Sequence, residues 1–252
     1  MKRKLLKGLS FFVILGLFMT FTSCNSGSKS KTEDKADFNQ EAYDQQIQGV
    51  FEYLSPNQGL SVNYDKHFIF IFGNSDTSMV CQAGSYTVSR DTVIFTTQYA
   101  TDPELVGTSI KWSAPFTDND SIKFFLFDDS GNITFEFYSK RLVKVDENIV
   151  SQMKDIEGFY QYAAPNRGLS TMLGGYYIYL YGQPDGEMIA QAGKYKVDKD
   201  KTTCKNHFAT NPQLIGVESD WIKKSVIGNT LTWVTIDDKG EITSTGKSVR
   251  PE

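Results

Sequence analysis

Sliding the 252-residue sequence against itself by 109 positions brings its two halves into register without a gap. "IQGVFEY" at 47–53 meets "IEGFYQY" at 156–162, and "PNQGLS" at 56–61 meets "PNRGLS" at 165–170. "HFIFIFG" at 67–73 meets "YYIYLYG" at 176–182, "QAGSYTV" at 82–88 meets "QAGKYKV" at 191–197, and "ATDPELVG" at 100–107 meets "ATNPQLIG" at 209–216. Trp112 falls on Trp221 and Arg141 on Arg250. A match this long means a duplicated unit, and a unit of about 100 residues is long enough to bury its own core. Two copies make a tandem pair rather than a solenoid.

Within each unit the apolar period is two, the period of a strand. "SIKFFLFDDSGNITFEFYSK" reads as two strands around a "DDSG" turn, with Gly131 at the tip. The "HFIFIFG" run is apolar on both faces, as a strand covered on both sides is. Turn residues recur every 8–14 positions, enough for about eight strands per unit. Many short strands with glycine-containing turns predict a sandwich or a closed barrel, and closure removes exposed edges. A short helix is expected ahead of each unit, at 39–46 and 148–155.

Gly49 and Phe51 on the first strand, with Arg141 on the last, have counterparts in Gly158, Tyr160 and Arg250. On these residues each unit resembles a lipocalin-like domain of the calycin type. That family opens on Gly-x-Trp and closes on an Arg packed across the ring; Phe and Tyr stand here where the family has Trp. The resemblance implies an all-β chain of two tandem antiparallel up-and-down barrels, each with a plugged end and an open mouth, over 39–145 and 146–252. It also sets "PNQGLS" in a loop over the mouth. Pro, Asn and Gly suit a turn, and a ligand lid is the sharper alternative.

The first 23 residues are set apart from the fold. Lys2, Arg3, Lys4 and Lys7 precede an apolar stretch at 9–22 that is short for a membrane span. Its end, "FTSC", resembles a bacterial lipobox. The resemblance implies cleavage before Cys24, acylation of that thiol and anchorage to a membrane; an ordinary signal peptide is the alternative. Residues 24–38 are small, polar and charged and read as a tether. The expected location is the cell envelope, on the periplasmic side of an outer membrane, with the cell surface as the alternative.

Lys and Arg number 26 against 30 Asp and Glu, and removal of the leader makes the chain more acidic still. This balance disfavours a phosphate-backbone partner, and no nucleic acid is expected. Cys81 and Cys204 fall at non-matching positions of the repeat and are expected to be free and buried; a bridge between them, open to an exported chain, is the alternative. No His or Cys cluster has metal-ligand spacing and no cofactor motif is present. His67 and His207 do not correspond across the repeat. Asp128–Asp129 and Asp237–Asp238 sit at hairpin tips and read as turn formers, so no catalytic residue is assigned.

The aromatic content, 18 Phe and 13 Tyr, is more informative. Alternation points Ile133, Phe135, Phe137, Val93 and Phe95 inward in the first unit. Their counterparts are Ile242, Ser244, Gly246, Thr202 and Cys204; Leu126 becomes Thr235, and Phe124 becomes Trp233. A barrel of eight strands is wide enough to be filled by side chains or to hold one small ligand. The expectation is a filled first barrel and a hollower second one, binding a small apolar or amphipathic molecule with Tyr177, Tyr179, Cys204, Trp233 and Ser244. Compensating substitutions that close the second barrel are the alternative. A protein-interaction or structural module, packing the outer faces of 67–72 or 176–181 on each other or on a partner, competes with the binding role. Sugar stacking on tyrosines is a weaker third.

Overall fold

The computed structural model describes residues 39–74, 79–89, 92–113, 116–118, 121–127 and 132–252. The leader, Cys24 and the tether lie outside the described residues, as do Asp128, Asp129 and Gly131.

The first half runs α1 (Gln40–Ile47), β1 (Gly49–Tyr53), β2 (Asn57–Tyr64), β3 (His67–Asn74), β4 (Val80–Ser89), β5 (Thr92–Ala100), β6 (Ser109–Ser113), β7 (Phe116–Asp118), β8 (Ser121–Phe127) and β9 (Ile133–Lys144). The second runs α2 (Glu147–Gln152), β10 (Gly158–Tyr162), β11 (Arg167–Leu173), β12 (Tyr176–Gly182), β13 (Ile189–Asp198), β14 (Lys201–Ala209), β15 (Glu218–Ile227), β16 (Thr230–Ile236) and β17 (Ile242–Val249). Each half closes into an eight-stranded antiparallel barrel of neighbouring strands. In the first barrel β6 and β7 are two pieces of one interrupted strand, matching the continuous β15, and β6 reaches β8 through Ser113 and Phe125. Short helices precede both barrels, as the sequence predicts.

The Gly-x-aromatic and Arg pairing forms in both copies. The Arg141 guanidinium lies 5.3 Å from the Phe51 ring and donates to the Gln46 carbonyl. Arg250 lies 4.6 Å from Tyr160 and donates to Asp155 O at 3.2 Å. This contact ties the last strand to the first and to the segment just ahead of the barrel.

The "PNQGLS" motif differs from its expected form. The turn covers Ser55 and Pro56, joined by a cis peptide, and Gly59 already lies inside β2. A Cβ on Gly59 would stand 1.9 Å from the Ile71 carbonyl of β3, and one on Gly168 would stand 2.0 Å from that of Leu180. The glycine repeats because the neighbouring strand crosses too closely for any side chain, not because it reverses the chain.

Alternation now explains strands that are apolar on both faces. Phe68 and Phe70 point into the first bore, while Ile69 and Ile71 point out. Tyr177 and Tyr179 point into the second bore, while Ile178 and Leu180 point out. The outward residues meet. Val50, Leu60, Ile69, Ile71, Cys81 and Ala83 pack against Phe159, Leu169, Ile178, Leu180, Ala190 and Ala192 in one buried core. Each member of the first set is the 109-residue counterpart of a member of the second, so the face is self-complementary, like a two-fold dimer interface. Residues 38–252 accordingly form one compact unit. The His67 and Phe159 rings meet at 5.7 Å, tilted by 38°, and Gly174 packs on Val143. All four lie near the plugged ends, so both plugged ends fall on one side and both mouths on the other.

Candidate ligand site

The two bores carry different chemistry on the same frame. In the first, Phe124 and Phe137 stack at 4.8 Å, and Trp112 meets Phe137 edge-on at 5.1 Å. Val93 and Phe95 are buried there, as alternation predicts. Ile133 and Phe135 correct that prediction: they are 52 % and 42 % exposed. Phe135 keeps ring contact with Trp112 and Phe137, so it stands at the rim, where the mouth leaves it uncovered.

In the second bore Gly246 replaces Phe137 and Trp233 replaces Phe124. A Cβ on Gly246 would stand 2.1 Å from the Trp233 indole, so one large ring occupies much of the space that two rings fill in the first bore. The indole N–H donates to Ser248 Oγ at 3.2 Å. Four of the five residues expected to bind ligand come together. Tyr177 and Tyr179 lie 4.6 Å apart, and Tyr179 Oη is 3.4 Å from Cys204 Sγ. Tyr177 donates to Asn206, whose amide donates in turn to Gln191 at 2.8 Å. The fifth, Ser244, is exposed near the mouth, 2.6 Å from Thr235 Oγ1. These groups bond to one another and fill the bore they line. Burial raises the pKa of the Tyr177 and Tyr179 hydroxyls and pushes the Cys204 thiol up to about 11. Cys81 and Cys204 are both free and buried, and a neutral buried thiol is a poor nucleophile.

The clearer difference lies at the plugged ends. Asn39 caps α1, and α1 stoppers the first barrel: Ile47 is fully buried and Tyr43 packs on the aromatic bore residues. Gln40 Nε2 fixes the helix to the Val88 carbonyl at 2.8 Å. The counterpart of Tyr43 is Gln152, which is exposed. Helix α2, capped by Asp146, turns aside and lays Ile149 and Met153 against the core between the barrels. The buried Glu157 carboxylate holds the chain on this course, accepting from Lys154 N at 2.7 Å, Gly174 N at 3.1 Å and the Tyr195 hydroxyl.

A cavity of about 360 Å3 opens where the stopper is missing. Ile156, Val197 and Thr202 border it, with Lys154, Lys199 and Lys223 among its charged residues. Asp155 pairs with Lys223 at 2.9 Å, and Asp200 also lines it. Lys154 and Lys199 make no ion pair among the described residues. Sequence reading did not find these residues; the change from Tyr43 to Gln152 was the available signal. A second cavity, about 330 Å3, lies between the barrels.

Among the described residues no group of three His, Cys, Asp or Glu is placed to hold a metal, and no helix is long and apolar enough to cross a membrane. Asp237 acts as a turn former, accepting from Lys239 N and Glu241 N at 2.9 and 2.8 Å. No family model matches the sequence, and no curated protein matches it.

Proposed function

We propose that the protein is a non-catalytic, membrane-tethered binding protein of lipocalin-like build. Its first barrel is the rigid base, and its second takes a small amphipathic acid at the unstoppered end. The observation that carries this reading is the departure of α2, which leaves a cavity over Ile156 and Val197 lined by three lysines and two aspartates, with Lys223 paired to Asp155 and Lys154 and Lys199 left without an ion pair among the described residues. The apolar part of the ligand lies against the bore end, and its anionic head meets Lys154 and Lys199. At about 360 Å3 the cavity is at the small end of the range for ligand pockets. Acylation at Cys24, in the cell envelope, supplies the tether.

Titration of the protein with a medium-chain fatty acid, followed by tryptophan fluorescence and calorimetry, tests the reading. Saturable binding is expected, and Val197→Trp, which fills the cavity, weakens it at least tenfold. Lys199→Glu weakens the acid more than the corresponding alcohol. Absence of saturable binding, or a Val197→Trp variant that binds like the parent, overturns it.

The side-chain-filled bores favour a second reading, a structural or protein-interaction module of the envelope. Its mark is a pair of barrels that bind no small molecule yet retain a protein partner when Val197→Trp is introduced.

A further inference from the structure

The core between the barrels has two flanks related by the internal two-fold, and each flank serves as a control for the other. On one, Gln161 Nε2 donates to the Tyr99 hydroxyl at 2.8 Å and ties barrel to barrel. His67 on that flank is held by its Nδ1, 2.7 Å from the Asp65 carbonyl, and by the Phe159 ring. The counterparts of Gln161 and Tyr99 are Glu52 and Phe208. Phe208 has no hydroxyl, so the tie cannot form. In its place lies the groove of about 330 Å3, lined by Glu52, Leu60, Leu142, Tyr176, Lys194, His207 and Phe208.

The substitutions run in one direction. Where one flank has the neutral Gln161, Ser85 and Gln98, the other has Glu52, Lys194 and His207. His207 is the extra residue of a bulge in β14, between Asn206 and Phe208 in the pairing with β13. Glu52 is only partly exposed and makes no ion pair or side-chain hydrogen bond among the described residues. Lys140 stands across from it on β9 without closing a bridge. The Lys194 ammonium lies over the Tyr176 ring at 5.5 Å rather than on a carboxylate. An unpaired acid and an unpaired base therefore share one groove, with Leu60, Leu142 and Phe208 as its apolar wall. Lys194 and His207 are exposed, but Glu52 is half-buried, and a half-buried charge without a partner is unfavourable unless something supplies one.

We infer that this groove binds a small zwitterion with an apolar side chain, of amino-acid chemistry. The ligand's ammonium meets Glu52, its carboxylate meets Lys194 and His207, and its side chain lies along the leucines and Phe208. This site shares no residue with the cavity at the end of the second barrel, so the two stand or fall separately.

Calorimetric titration of the full chain with leucine and with phenylalanine tests the inference, with N-acetyl-leucine amide as the uncharged comparison. Saturable binding of a free amino acid is expected, and at least tenfold weaker binding of the capped one. Glu52→Gln should weaken the free amino acid about tenfold. Glu52→Gln with Phe208→Tyr installs the tie of the opposite flank, and should abolish binding while the melting temperature holds or rises. Val197→Trp should leave this binding unchanged even where it removes the amphipathic acid. Equal binding of the capped compound, undiminished binding by the double variant, or no binding of either amino acid at millimolar concentration would overturn the inference.

Discussion

The first barrel keeps Phe124 and Phe137 stacked in its bore and Tyr43 pressed into its end; the second has Trp233 over Gly246 and leaves Gln152 in solvent. The same strands and the same Arg-over-ring contact carry both. A barrel therefore tolerates wide change in its contents while its closing contacts are kept. What changes is the interior chemistry, stacked phenylalanines on one side and tyrosines bonded to Asn206 and Cys204 on the other, and whether the plugged end is sealed.

The largest effect should come from imposing one bore's solution on the other in halves. Phe137→Gly removes a stacked, buried ring with no Trp at position 124 to refill the gap and should cost about 4 kcal/mol in urea unfolding. Adding Phe124→Trp recreates the second barrel's pair and should recover most of the loss. Failure of that rescue would mean that the two interiors differ by more than this exchange.

Alkaline pH comes next, acting on both interiors and on the second through Cys204 as well. Cys204 titrates near 9.0 when unfolded and about 11 in the fold, because burial favours the neutral thiol. Its contribution is complete below pH 9 and is lost as pH rises towards 11, since the unfolded chain then gives up a proton that the folded chain keeps. A shift of this size corresponds to about 2–3 kcal/mol, and the Cys81 thiol between the barrels and the tyrosines of both bores, all raised by burial, add to the fall. Urea midpoints at pH 8 and pH 10.5 should show the loss, and Cys204→Ala should make it smaller.

The stopper gives a smaller contrast. Tyr43→Ala should destabilise by about 2 kcal/mol, as expected for a partly buried ring, whereas Gln152→Ala should stay within about 0.5 kcal/mol. Equal effects would mean that the two helices do the same work. Smallest of all, Arg250→Lys should cost about 1 kcal/mol by weakening the contact with Tyr160. Arg141→Lys should cost a similar amount, because this feature is shared.

The repeat, the strand period and the ring-and-arginine pairing made the architecture legible, because each is written in local spacing. Alternation also assigned Phe95 and, through the repeat, Cys204 to the bores. It could show that β3 and β12 are apolar on both faces, but not that these faces cover each other, since burial between barrels leaves no period of its own. The candidate site was harder to read. Lys154, Lys199 and Lys223 look like ordinary surface lysines until α2 turns aside, and that turn depends on Glu157 reaching Gly174 and Tyr195 across the fold. Ser244 had the right parity for the bore but lies where the mouth ends.

The self-complementary face between the halves has a consequence for divergence. In an assembly of identical subunits any substitution strikes both sides of the axis at once, and the partnership dissolves on dilution. Here the partners are one molecule, held together at an effective concentration that no dilution lowers. Either half can therefore accept a change that its twin never sees. That freedom lets Gln161 and Tyr99 clasp one flank while Glu52 and Phe208 stand at an open groove on the other.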